Sequence, residues 1–163
     1  MGVEYSKADE VKEIARDLIV NYHTHLMNVR IEYLFVDPVP KSKGQLVWGT
    51  ARKVTGLAAY LATTEESEEP GEPFFVVTIS KEIWERLDDD RRKALVDHEL
   101  AHCWLNDDGG LVILGHDLEE FVGVVKRHGL WRAEVEMFIR AAGPQIGLFD
   151  KPTPEMFGQR QDN

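Results

Sequence analysis

Hydrophobic positions along the chain switch between a spacing near 3.6 and a spacing near 2, which separates helical from extended segments. After Ser6 and an acidic turn, Val11, Ile14, Ala15, Leu18, Tyr22 and Leu26 recur at helical spacing; they predict a first helix over residues 7–26 with Ser6 as N-cap. Residues 29–36, VRIEYLFV, read as a strand that Pro38 and Pro40 stop, because proline cannot donate to a ladder. Residues 46–54 alternate well enough for a second strand, in which Gly49 marks a weak point or a close approach of backbone. Residues 57–62 are apolar but too few to classify, and residues 63–73, TTEESEEPGEP, form an acidic, solvated loop. The run FFVVTIS at 74–80 is the strongest strand pattern. It is apolar enough to be buried on both faces or to lie across a covered cleft, and an extended peptide could pair along its edge.

A short helical patch follows at 81–87. Asp88, Asp89 and Asp90 then supply an N-cap and first-turn negative charge for another helix. Its Leu95, Val96, Leu100, Ala101, Cys103, Trp104 and Leu105 fall on several sides, as in a helix covered all round, until Gly109 and Gly110 end it. A long helix can start at Asp117 and close at Gly129, with Leu118, Phe121, Val122 and Val125 on one face. The last, over residues 130–142, carries Trp131, Val135, Phe138 and Ala142 in phase. Residues 1–150 therefore read as one domain and residues 151–163 as a flexible tail.

Composition narrows the functional classes. With 43% hydrophobic and 29% charged residues, the 163-residue chain has the balance of a soluble globular protein. The net charge of −10 repels polyanions, so nucleic acid is not an expected partner. Cys103 is the single cysteine, which excludes an internal disulfide and a four-cysteine zinc ribbon. No apolar stretch approaches the roughly 20 residues of a membrane span, and MGVEYSKADE lacks the pattern of a secretory signal. A cytoplasmic location and no membrane partner are expected; oligomeric state is not legible.

Against this ordinary background one stretch stands out: residues 96–104, VDHELAHCW. His98 and His102, at i and i+4, lie one helical turn apart and can reach one ion from one face. Glu99 lies beside that face, outside the first coordination shell but close enough to take a proton. Two imidazoles and a carboxylate buried without a partner cost several kcal/mol, and a bound cation removes that cost. Zinc suits the ligand set. A catalytic zinc needs a third protein ligand and an open position. His116, in LGHDLEEF after the double-glycine turn, is the first choice, with Glu119 and Glu120 as competitors. Asp117 with Glu120 also fits a capping box. His128 reads as a helix-closing residue, His23 and His25 have no assigned role, and Cys103 reads as a buried structural thiol. Tyr60, His128 and Arg132 are the candidates for stabilising an oxyanion.

The succession of FFVVTIS, a helix with HELAH, and then GHDLEEF resembles the zinc metallopeptidase core of SprT-like and related gluzincin-type families. It is most similar to the family called putative phage metallopeptidases, closely over residues 74–128 and in outline before them. The resemblance implies a small α+β zincin-like domain: N-terminal helix, about three strands, active-site helix, C-terminal helices. It implies that His98, His102 and His116 hold zinc, that Glu99 is the general base, and that the substrate is a peptide or protein. The zinc ribbon or DNA-binding segment of many SprT-like proteins has no counterpart here, so their DNA-repair role does not carry over. A second reading, from the acidic surface, is a metal-stabilised binding or regulatory protein acting on a host factor without cutting peptides.

Overall fold

The run FFVVTIS becomes the strand around which the N-terminal part of the chain is built. The computed structural model describes residues 2–65, 69–118 and 121–143, and its contacts group the chain into two compact units, Met1–Leu114 and Gly115–Asn163. In chain order the first contains β1 (Glu4–Lys7), α1 (Asp9–Tyr22), β2 (Ile31–Asp37), β3 (Lys41–Ser42), β4 (Gln45–Leu46), β5 (Gly49–Val54), α2 (Gly56–Leu61), β6 (Phe74–Ser80), α3 (Lys81–Arg86), α4 (Asp89–Ala101), β7 (Cys103–Leu105) and β8 (Leu111–Ile113). The second contains α5 (Val122–His128) and α6 (Ala133–Ala142). The fold class is α+β, as the sequence implies.

The main sheet has four strands in the order β1-β2-β6-β5. β6 runs parallel to β2 and antiparallel to β5, so both of its edges are hydrogen-bonded. The expected pairing of a peptide along residues 74–80 therefore has no edge to use; the outer strands are β1 and β5. Register places Tyr33 and Phe35 beside Val77 and Ile79, and with Phe75 they form one buried face. α1 and α4 pack on each other and against this sheet, contributing Val11, Ala15, Val96 and Leu100, all fully buried. Val11, Val96 and Leu100 each contribute on the order of 1.5–3 kcal/mol, and the methyl of Ala15 about 1 kcal/mol or less. On the opposite face Leu34, Val36, Thr50, Arg52, Val76 and Thr78 line a concavity of about 640 Å³. The half-buried Val76 and Thr78 thus make β6 a strand lying across a cleft.

Several elements differ from their sequence patterns, each because a nonlocal partner intervenes. Ser6 is not an N-cap: it lies in β1 opposite Phe35, and α1 starts later, after Ala8. Pairing along the exposed edge of β2 outweighs the local capping preference. The predicted first helix stops at Tyr22, and a 3-10 turn over Thr24–Leu26 replaces its end, with Leu26 buried. Gln45 and Leu46 belong to the β3–β4 hairpin rather than to β5. The active helix ends at Ala101, not at the double glycine. Cys103, Trp104 and Leu105 turn extended and pair with Ile113, Val112 and Leu111. The turn between them is built by Asn106, whose Oδ1 accepts the N–H groups of Asp108 (3.1 Å) and Gly110 (2.7 Å), while Gly109 takes φ +79°. In the second unit, α5 begins at Val122, so Asp117 lies before it and is not its N-cap. The expected tail, residues 151–163, lies outside the described residues.

The two faces of β6 should respond differently to truncation. Phe75→Ala is expected to cost about 3–5 kcal/mol in urea unfolding, and Thr78→Ala on the open face under about 1 kcal/mol.

Candidate metal centre

α4 starts on its acidic triplet. The Asp88 carboxylate accepts the Arg91 N–H at 2.9 Å, and Asp89 and Asp90 occupy the first turn, where the helix dipole favours negative charge. Leu95, Val96, Glu99 and Leu100 are buried, while Lys93, Ala94, His98 and Ala101 are exposed. The helix is thus covered along one stripe and not all round. The costly interior group is Glu99, and His98 faces outward.

His98 and His102 stand with ring centroids 5.1 Å apart, edge to face at 79°. His102 caps the C-terminus of α4 and is held by the strand that returns to it. Its carbonyl accepts the Leu114 N–H at 2.8 Å, and its Nδ1 bonds to the Leu114 carbonyl at 2.6 Å. A carbonyl can only accept, so Nδ1 carries the proton and the lone pair sits on Nε2, as metal-binding histidines are commonly arranged. The β7–β8 hairpin that delivers Leu114 is the feature the apolar pattern hid. Its signal, LNDDGG between two short β-prone runs, is turn chemistry rather than periodicity.

His116 is exposed, two residues beyond Leu114. With consecutive Cα atoms about 3.8 Å apart, its backbone stays within roughly 8 Å of the residue bonded to His102. His98, His102 and His116 each offer one imidazole nitrogen, and together they could hold a metal ion. Glu119 and Glu120, the competitors for the third position, lie outside the described residues. Of the other candidates, Tyr60 is exposed on α2, His128 ends α5, and Arg132 pairs with Glu134 at 3.6 Å.

Glu99 is only 4% exposed, and its carboxylate makes no hydrogen bond or ion pair among the described residues. Burial pushes its pKa up to about 7, against a smaller opposing pull from His102. The wall beside it is bare backbone: a Cβ on Gly49 would lie 2.6 Å from Glu99 Oε1. This is the close approach that a glycine inside a strand signals. Cys103 is fully buried and donates weakly to the Glu99 carbonyl at 3.7 Å. Burial and the nearby Glu99 charge push its thiol up to about 12, so it is an inert structural group.

A raised carboxylate pKa has a definite sign in stability. The neutral form is favoured in the folded chain, so the contribution of Glu99 is complete below its ordinary value of 4.5 and is lost as pH rises through about 7. In chelator, wild-type stability should fall by up to roughly 3 kcal/mol relative to Glu99→Gln between pH 4.5 and pH 8. Urea unfolding of both proteins across that range measures the difference.

Among the described residues, no helix is long and apolar enough to cross a membrane. Comparison with curated proteins and with solved structures returns no match. The model of one family, described as putative phage metallopeptidase, matches residues 3–142 and so spans both the sheet and the HELAH helix. On that match the chain belongs to the putative phage metallopeptidase family.

Proposed function

We propose that this protein is a zinc-dependent peptidase in which His98, His102 and His116 hold the cation and Glu99 serves as general base. The observation that carries the reading is the buried Glu99 carboxylate, without a hydrogen-bond partner among the described residues and with its pKa raised to about 7, next in sequence to His98. A cation beside it supplies the compensation that such burial lacks. The donor set suits zinc, because His102 is fixed in the tautomer that offers Nε2 and the three residues are all imidazoles. Support for His116 over Glu119 or Glu120 comes from its short tether to Leu114.

When bound there, zinc supplies Lewis-acid polarisation of a peptide carbonyl and acidifies water. Glu99, poised near neutrality, takes the proton of the attacking water and returns it to the leaving amine. Gly49 keeps that carboxylate in place by leaving room for it. Alignment of an extended peptide, which β6 cannot provide, falls to β5, the outer strand that meets Glu99. The span of the family match, residues 3–142, supports treating residues 1–150 as one catalytic domain. A single buried thiol fits work in a reducing compartment, which for a phage product is the host cytoplasm.

Bound zinc and peptide hydrolysis, measured on the same preparations, test the scheme. Glu99→Gln should retain stoichiometric zinc and lose at least about 100-fold in kcat. Wild-type protein that binds zinc tightly yet cuts no peptide in a broad substrate library supports the non-catalytic reading instead. His116→Ala should lower the zinc-to-protein ratio at micromolar free metal; an unchanged ratio moves the third ligand to Glu119 or Glu120. Gly49→Ala would place a Cβ 2.6 Å from Glu99 Oε1 and 3.0 Å from its Cγ, so the carboxylate must shift and kcat should drop about 10-fold or more.

A further inference from the structure

The two histidines of the α1 terminus reach both ends of the metal-binding turn. His23 Nε2 lies 2.6 Å from Asp97 Oδ1, immediately before His98. His25 Nε2 lies 3.0 Å from the carbonyl oxygen of Cys103, immediately after His102. A carboxylate oxygen and a carbonyl oxygen both accept, so each histidine donates from Nε2. The donors come from one short, well-anchored segment. Leu26 is 1% exposed, the His23 side chain is 12% exposed, and the His25 ring packs on Trp104 with centroids 4.5 Å apart.

This matters because α4 stops at Ala101 and His102 is its cap residue. A ligand at a helix end, followed directly by a turn into β7, has no further helical turn to hold it. Fraying there would cost entropy each time two imidazoles converge on one ion. Leu114 holds the ring and the carbonyl of His102, and Cys103 pairs with Ile113; the bonds from His23 and His25 tie both ends of the pentad to the α1 terminus as well. From this bracketing, and resting on the metal-site reading above, we infer that His23 and His25 are positioning residues for the metal ligands. They clamp the residues flanking the HELAH turn and hold His98 and His102 ready for a cation before one arrives. Their role is as hydrogen-bond donors, with the ring of His25 adding a packing contact.

The clamp can be separated from simple packing by comparing donors with shape mimics. His25→Phe keeps a ring against Trp104 and removes the N–H, whereas His25→Gln keeps an N–H donor. His23→Leu and His23→Gln form the same pair. Zinc affinity is measured by competition with a chromogenic chelator, and the melting temperature of each metal-free protein is measured alongside. His25→Phe and His23→Leu should bind zinc at least about 10-fold more weakly than wild type, and each Gln variant should stay within about threefold. Equal affinity in all four variants overturns the clamp, as does equal loss in the donor-bearing and donor-free members of a pair. A fall in metal-free melting temperature with unchanged affinity also overturns it, because it shows a stabilising role only. If a donor-free variant fails to fold, the Gln variants decide: weakening beyond threefold overturns the clamp, and near-wild-type affinity sustains it. Wild-type protein that binds no zinc overturns the metal-site reading and the clamp together, whereas tight wild-type binding with indifferent variants overturns the clamp alone.

Discussion

A carboxylate held away from water against bare backbone is the constraint that the first unit is arranged around. Glu99 points into the covered stripe of α4, between fully buried Val96 and Leu100, and the approach of β5 at Gly49 closes the space beside it. An acidic side chain in such surroundings costs stability unless it is protonated or faces a cation. The apolar layer of Phe75, Val77, Ile79, Val11 and Ala15 is what makes that cost bearable. Burial provides both the stabilisation and the perturbed acidity, so core and site cannot be varied independently here.

From that constraint the rest of the centre follows by connection rather than by further chemistry. The same helix that buries Glu99 turns His98 outward and ends on His102, and the early end frees residues 103–105 to pair with 111–113. That hairpin brings the Leu114 carbonyl onto His102 Nδ1 and so fixes the proton on that nitrogen. A longer helix, with Cys103 to Leu105 still coiled, could not have placed Leu114 there. The end of α4 at Ala101 and the Asn106 turn that closes the following hairpin together set where Leu114 meets His102.

The division of labour among the six histidines follows from position. Three could together hold a metal ion, two bond to residues flanking the pentad, and His128 sits in the basic last turn of α5. The two in the α1 segment carry no sequence signal of their role. Their partners, Asp97 and Cys103, are more than 70 positions away, and one partner is a backbone carbonyl that any residue type would supply.

What the sequence by itself determined is whatever depends on spacing within one element. The i, i+4 separation of His98 and His102 places them on one helical face regardless of context, the acidic triplet starts α4, and the composition of residues 29–36, 46–54 and 74–80 marks three strands of the main sheet. Gly49 was legible as a close approach but not as an approach to Glu99. What only the tertiary structure decided is which side of α4 faces inward, where that helix stops, that both edges of β6 are taken, and which nitrogen of His102 carries its proton. The fourth strand, β1, was likewise set by the open edge of β2 and not by its own four exposed residues. The reason is common to all of these. Periodicity records the geometry of a segment, whereas burial, strand pairing and tautomer are settled by atoms far away in the chain, whose approach leaves no repeating mark in the residues approached.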